Sequence, residues 1–265
     1  MPPTIEFAFD NSFGCTDEPY VFSCNDLWQH DEPLLDVLAS RYGAQPLTSF
    51  GGSYGWSVRY RQEEDYAAIG LKTMAEYIEA FRSNSVQLPY LRHLSVNRAM
   101  PELRRHIRHP QEFGPNWADF RWLDRYSGPE IFIGQENTGF GNFHQDHASV
   151  HVGFVQLEGS KEFTLFRPED GEHLYRMQGA QFPFQMRNSA VRLEEIDSYA
   201  RFPNLRYATP RKITLSAGQA LFLPADWWHT TRNLTDSVSY SVRIVNGSNI
   251  GALIARHVEG LGKLV

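Results

Sequence analysis

The spacing of apolar residues changes along the chain near Pro89. Before that point, residues 32–43 and 74–81 carry apolar side chains at the spacing of one helix face. Gly43 is placed to end the first helix, and Thr73 is placed to cap the second. The first third of the chain is therefore predicted to contain two helices.

After Pro89 the apolar residues fall into short runs that are separated by turn residues. Residues 90–94 are strand-like, and residues 101–108 predict a short helix behind Pro101. The other apolar runs are residues 130–134, 149–157, 162–166, 211–215, 219–223 and 237–245. Short strands at fairly regular spacing are typical of a β-sandwich or barrel. Residues 250–262 predict a short closing helix.

The length of 265 residues fits one domain. We divide that domain, residues 1–265, into three parts. Residues 1–85 are a helical and irregular part, residues 86–246 are a β-strand core, and residues 247–265 are a C-terminal helix.

Charge and composition narrow the classes of partner and compartment. The net charge is −6 and the pI is near 5.9, which argues against nucleic acid as a partner because phosphate binding needs a basic surface. The sequence shows neither a signal peptide nor an apolar run of membrane-spanning length. We therefore expect a cytoplasmic protein, and monomer and homodimer both stay open. Cys15 and Cys24 could form a disulfide, but reduced thiols are favoured because nothing marks secretion.

The chemistry of the chain is concentrated in His144-Gln145-Asp146 and in His229, which follows two tryptophans. Residues two apart on a strand face the same side, so His144 and Asp146 can reach one metal ion. Two imidazoles and one carboxylate are the ligands of non-haem iron(II) oxygenases. We predict a metal site of His144, Asp146 and His229. His147 and His151 are the local alternatives, but their offsets favour surface or supporting positions.

Lys161 follows Gly159-Ser160 and lies within an apolar strand that also contains Phe163 and Leu165. A lysine that points into a barrel needs an anion as its partner, and a dicarboxylate co-substrate would serve. An exposed lysine on an edge strand is the alternative.

Taken together, these residues resemble the JmjC and cupin-like oxygenases, in the branch related to the asparaginyl hydroxylase of hypoxia-inducible factor. The resemblance runs from about Leu71 to Asn246. Its matching segments are residues 73–78, 90–92, 133–146, 158–168 and 216–233.

The resemblance implies a double-stranded β-helix, or jelly roll, that uses iron(II), 2-oxoglutarate and dioxygen. It implies that Lys161 and Tyr90 hold the far carboxylate of 2-oxoglutarate. Further candidate contacts to the co-substrate are Thr138, Asn142 and Ser241. The candidates that line the substrate side are Arg92, Gln135 and Trp228.

The sequence departs from the pattern of that family at two positions. Gly141 stands where a threonine often contacts the co-substrate, although Thr138 or Asn142 could compensate. Ser241 stands where an asparagine often lies near the metal. The short segment after Asn246 also predicts that a large helical dimerisation module is absent.

The leading hypothesis is a hydroxylase that acts on a protein or peptide side chain, or on a small amino-acid-like or natural-product substrate. An N-methyl-lysine demethylase is chemically related and ranks lower, as does a tRNA-base hydroxylase. A metal-binding cupin without oxygenase activity, such as an isomerase, sugar-binding protein or sensor, is the second class. A binding protein that has lost activity is the third.

Overall fold

A computed structural model describes residue 14 and residues 16–24, 27–50, 70–118, 128–177 and 187–262. Within these ranges the chain forms eleven strands. They are β1 (Tyr20–Ser23), β2 (Leu91–Ser95), β3 (Glu130–Gly134), β4 (Asn142–Gln145), β5 (His151–Glu158), β6 (Ser160–Phe166), β7 (Arg187–Arg192), β8 (Arg211–Ser216), β9 (Gln219–Leu223), β10 (Trp228–Asn233) and β11 (Ser237–Ile244).

The strands form two antiparallel sheets. The first sheet has the order β1-β9-β5-β11-β3-β2, and the second has the order β7-β4-β10-β6-β8. Neighbours in each sheet are far apart in sequence, as in a jelly roll. The predicted mainly β, jelly-roll fold is confirmed.

Four helices accompany the sheets in the described part of the chain. They are α1 (Leu34–Tyr42), α2 (Met74–Ser83), α3 (Val96–Ala99) and α4 (Ile250–Gly262). The apolar faces of α1 and α2 join the main core together with residues of β3, β5 and β11. These helices therefore cover the outer face of the first sheet.

The start of α2 shows why the helix begins where the sequence predicts. The Thr73 hydroxyl accepts a hydrogen bond from the Glu76 N–H at 3.3 Å, and the Glu76 carboxylate accepts one from the Thr73 N–H at 2.9 Å. This capping box satisfies two of the N–H groups at the helix start. The prediction that Thr73 is the N-cap is confirmed.

Four elements differ from the sequence prediction. One is α3, a four-residue helix that no pattern predicted. The helix expected at 101–108 is a 3-10 helix over Pro101–His106. Strand β1 lies in the segment predicted to be helical or irregular, and β7 lies in a segment where no strand was predicted. Both are edge strands, and β7 buries only Ser189 and Val191 fully, so its sequence lacks the apolar run of a central strand.

Two further expectations, on membrane-spanning segments and on cysteine pairing, can be compared with the structure only in part. No helix in the described ranges is long and apolar enough to cross a membrane. Cys24 is buried, whereas Cys15 lies outside the described residues, so the thiol pairing stays a prediction.

The two neighbouring histidines take different places. His147 opens a 3-10 turn, His147–Ser149, directly after Asp146. His151 begins β5 and is only 4% exposed, so of its two expected placements the surface one is excluded and a supporting position remains. Strand β5 lies between β9 and β11 in its sheet, and the His151 ring packs against the Phe222 ring.

Hydrogen bonds fix the His151 ring in its neutral form. Nδ1 accepts a hydrogen bond from the Ala225 N–H at 2.9 Å, so the hydrogen is on Nε2, which contacts Ser248 Oγ at 2.8 Å. Burial lowers the pKa of His151 to about 4. The folded protein therefore resists protonation of this ring.

We expect that, because of His151, folding stability decreases as the pH is lowered through the acidic range. The ordinary histidine pKa is near 6.5 and the folded value is about 4, so the stabilisation is complete above pH 6.5 and is lost as the pH falls toward 4. The difference corresponds to about 3 kcal/mol. Urea unfolding of the wild type and of His151→Asn at pH 7.5, 6 and 4.5 measures it. An equal loss of stability in both proteins would show that His151 does not contribute.

Candidate metal centre and cavity

A cavity lies between the two sheets. Its lining brings together His144, Asp146 and His229 with Lys161 and Tyr90. Five of the side chains that the sequence singled out therefore share one cavity.

His144 and His229 face each other directly across the β4–β10 pair. Their ring centroids are 4.2 Å apart, and both rings are buried. Each Nδ1 lies 3.2 Å from a backbone carbonyl oxygen, that of Asn142 for His144 and that of Trp227 for His229. A carbonyl only accepts hydrogen bonds, so Nδ1 carries the hydrogen and Nε2 keeps its lone pair for a ligand.

The electrostatic environment keeps both rings neutral. Burial lowers the pKa of His144 to about 3, against the opposing effect of Asp146. Burial also lowers the pKa of His229. Neutral imidazole is the form that binds metals, so these two side chains are ready as ligands at neutral pH.

Asp146 follows β4 immediately, and its Oδ2 lies 3.7 Å from Nε2 of His229. Across the described residues, no group of three or more His, Cys, Asp or Glu side chains is already arranged to hold a metal ion. Two ligands about 2.1 Å from one octahedral metal are about 3 Å apart. A shift of less than about 1 Å would therefore let Asp146 and His229 share an ion, and the donor types fit iron(II).

A polar contact outside the cavity joins the two loops that carry these residues. The Asp226 carboxylate accepts a hydrogen bond from Ser149 Oγ at 3.0 Å and forms a 2.6 Å ion pair with Arg256 of α4. Ser149 follows Asp146 in the chain, and Asp226 precedes His229. Helix α4 therefore helps to hold both ligand-bearing loops in place.

Lys161 enters the cavity from β6 and is only 4% exposed. Its Nζ donates hydrogen bonds to Ser239 Oγ at 2.6 Å and to the Tyr90 hydroxyl at 3.1 Å. In the described ranges no carboxylate forms an ion pair with Lys161, and burial lowers its pKa to about 7. A buried ammonium group whose hydrogen bonds go only to hydroxyls favours an anion as a further partner.

The alternative of an exposed edge-strand lysine is wrong. Strand β6 is hydrogen-bonded on one side to β10 and on the other to β8, so it is not at an edge. The residue that pairs with Lys161 on β10 is Asn233.

Of the other candidate contacts to 2-oxoglutarate, one lies in the cavity lining and two do not. Ser241 lines the cavity, but Thr138 and Asn142 do not. The Thr138 hydroxyl donates a hydrogen bond to the Gln135 carbonyl at 2.6 Å and accepts one from Asn233 Nδ2 at 3.1 Å. Asn142 acts through its backbone carbonyl, on His144.

The three candidates for the substrate side lie outside the cavity lining. Trp228 packs with Phe143 and Phe166, because neighbours along a strand face opposite sides and His229 takes the inner side. Gln135 is occupied by the loop before β2, where its Oε1 accepts from the Leu88 N–H at 2.6 Å. These placements correct the prediction.

Arg92 is the third of these candidates. Its guanidinium lies 5.0 Å from the centre of the Phe140 ring, which does line the cavity. Arg92 therefore supports the wall from behind.

Sequence reasoning missed several residues of the cavity wall. Thr231 could have been found, because it lies two residues after His229 on one strand and so faces the same side. His93, Glu130 and Arg243 also line the cavity, but no local pattern marked them. The aromatic part of the wall includes Phe132, Phe154 and Phe163.

Comparisons with known proteins agree with this architecture. The cupin-like domain family matches residues 15–245. A chicken (Gallus gallus) protein named 2-oxoglutarate and iron-dependent oxygenase JMJD4 is 26% identical over 182 residues, which cover 67% of this chain and 41% of the relative. The human protein of the same name is 28% identical over 177 residues, which cover 66% of this chain and 41% of the relative.

Human HSPB1-associated protein 1 is 30% identical over 133 residues, which cover 48% of this chain and 25% of that protein. The chain thus spans less than half the length of these relatives. Because the family match covers most of the chain, the resemblance drawn from the sequence is confirmed at that level: the chain belongs to the cupin-like domain family.

Proposed function

We propose that this protein is an iron(II)- and 2-oxoglutarate-dependent oxygenase. The observation that carries the proposal is one cavity that holds two neutral histidines, a carboxylate and a buried lysine without a carboxylate partner. The names of the JMJD4 relatives support it, since they describe dependence on the same two groups.

In this proposal His144, Asp146 and His229 hold the metal. Iron(II) with 2-oxoglutarate and dioxygen supplies the oxidising power that inserts oxygen into a C–H bond. The carbonyls of Asn142 and Trp227 orient the two imidazoles, so that each Nε2 faces the metal position.

Lys161 binds the far carboxylate of 2-oxoglutarate. Its hydrogen bonds to Tyr90 and Ser239 aim the ammonium group before the anion arrives. Burial raises the pKa of Tyr90, so its hydroxyl remains protonated and can donate to the same carboxylate. The low polarity of the cavity strengthens the attraction between the Lys161 ammonium group and this carboxylate.

Aromatic side chains exclude water from the reacting groups. Phe154 lies 5.7 Å from the His229 ring and 4.9 Å from the Phe163 ring, and Phe140 stacks on His144 at 4.6 Å. Exclusion of water limits the side reactions of an oxidising centre.

The reaction proposed is hydroxylation of a protein or peptide side chain, or of a small amino-acid-like or natural-product molecule. Demethylation of N-methyl-lysine is a lower-ranked variant of the same chemistry. A protein as substrate or partner also agrees with the name of the relative HSPB1-associated protein 1. A cytoplasmic location, a monomeric or homodimeric state and the single-domain division stay predictions.

A metal-binding cupin without oxygenase activity is the second candidate. The 3.7 Å spacing of Asp146 and His229, wider than in a formed octahedral site, favours it. It predicts metal binding without consumption of 2-oxoglutarate.

We expect His144→Ala and Asp146→Ala to reduce succinate formation from 2-oxoglutarate to background, because each removes a ligand. The assay uses purified protein, iron(II) and air, with circular dichroism to verify the fold. His173→Ala, which alters a histidine outside the cavity lining, is the matched control. Succinate formation at the wild-type rate in either ligand variant would rule out this metal site, and none in the wild type would favour the second candidate.

We expect the affinity for 2-oxoglutarate to fall as the pH rises above 7. The anion binds the ammonium form of Lys161, and in its absence the pKa is about 7, so each pH unit well above that value weakens binding about tenfold. Lys161→Arg keeps its charge throughout this range and flattens the profile. Anaerobic calorimetry with manganese(II)-loaded protein between pH 6.5 and 9 measures both.

The exposed Lys212, which pairs with Glu162, provides the control for this experiment, and we expect Lys212→Arg to keep the wild-type profile. If Lys161→Arg shows the same pH dependence as the wild type, Lys161 is not the anchor.

A further inference from the structure

Strand β2 carries a bulge beside the cavity. Leu91 pairs with Ile133 and Leu94 with Ile131, so three steps along β2 match two along β3. Within this bulge His93 has a φ of +58°, which costs a residue with a side chain on the order of 1 kcal/mol. A bulge changes the direction of side chains, and the His93 ring lines the cavity.

Two aromatic rings and a carboxylate hold the His93 ring. It lies edge-on to Phe132 and Phe140, with centroids 5.3 and 5.5 Å away. Its Nδ1 is 2.9 Å from Oε2 of Glu130, and the same oxygen accepts a hydrogen bond from Arg243 at 3.1 Å. Burial raises the pKa of Glu130, but the charge of Arg243 and the hydrogen bonds from His93 and Arg243 outweigh it and hold that pKa well below its ordinary value.

This network leaves two acceptor atoms for a molecule in the cavity. A carboxylate accepts and does not donate, so Nδ1 carries the hydrogen of the neutral ring and Nε2 has the lone pair. In the part of the chain that the structure describes, both hydrogen bonds to Glu130 end on Oε2, and the ring of His93 is bonded at Nδ1. Nε2 of His93 and Oε1 of Glu130 are the remaining acceptors.

The two acceptors belong to a hydrogen-bond network separate from that of Lys161. Lys161 bonds Ser239 and Tyr90, whereas Glu130 bonds His93 and Arg243. Ser239 and Arg243 are four residues apart on β11. With 2-oxoglutarate at Lys161, the end of the cavity near His93 is left for the primary substrate.

We propose that His93 and Glu130 recognise the primary substrate by accepting a hydrogen bond from one of its N–H or O–H groups. The inference deepens the proposed function and rests on it. The site selects a polar, donating group over an apolar group or an anion. Arg243 is a positioning residue that holds Glu130.

The test compares three probes of nearly equal size. They are the N-acetyl N-methylamides of glutamine, methionine and glutamate, whose side chains end in a donor, in no donor and in an anion. Calorimetry uses protein loaded with manganese(II) and 2-oxoglutarate without air. We expect the wild type to bind the glutamine probe about tenfold tighter than the other two.

Substitutions at His93 separate recognition from a structural role. His93→Phe keeps a ring between Phe132 and Phe140 but removes the acceptor, so the preference falls below about threefold. His93→Gln retains the preference, since the glutamine amide can donate to Glu130 and present an oxygen to the probe. The control His173→Phe keeps the wild-type preference. If thermal unfolding shows that His93→Phe does not fold, His93→Leu replaces it with the same expectation.

Equal binding of the three probes by the wild type, or an undiminished preference in the variant without the acceptor, overturns the proposal. Succinate formation by the wild type is measured separately. The absence of succinate would refute the oxygenase function. The probe preference separately tests recognition by His93 and Glu130.

Discussion

Strands β4 and β10 are distant in sequence, and their antiparallel pairing places His144 directly opposite His229. Opposite residues of a sheet project to the same face, so this register alone brings both imidazoles into the cavity. Neither strand is at an edge: β4 is also paired with β7, and β10 with β6. A slip by one residue would turn Trp228 inward and His229 outward, and the packing of Trp228 against Phe143 and Phe166 opposes it.

The same barrel buries Lys161 at a cost that the fold itself does not offset. A fall in pKa from 10.5 to about 7 corresponds to about 5 kcal/mol against the charged form. The hydroxyls of Tyr90 and Ser239 accept hydrogen bonds but bring no negative charge. Under the proposed function, the carboxylate of a bound anion offsets this cost.

Local patterns in the sequence predicted α1, α2, α4 and most of the strands. The cap at Thr73 needed only spacing along one element, whereas His144 and His229 meet only through the pairing of β4 with β10. The placements of Gln135 and His151 could not be obtained in this way, because they depend on which loop or strand packs against them. The bulge at His93 likewise arises from pairing with β3, which no window of sequence contains.

Alternate side chains of β11 have different roles: those on one face pack into the core, and those on the other face line the cavity. Val238, Tyr240 and Ile244 belong to the main core beneath the helices, whereas Ser241 and Arg243 line the cavity. Polar residues on the inner face bury less apolar surface than valine would, and a buried ion pair adds little net stability. The outer face must therefore stabilise the sheet, and this division allows the inner face to carry charged groups. The helices on the outer face are thus as necessary to the site as the residues that line it.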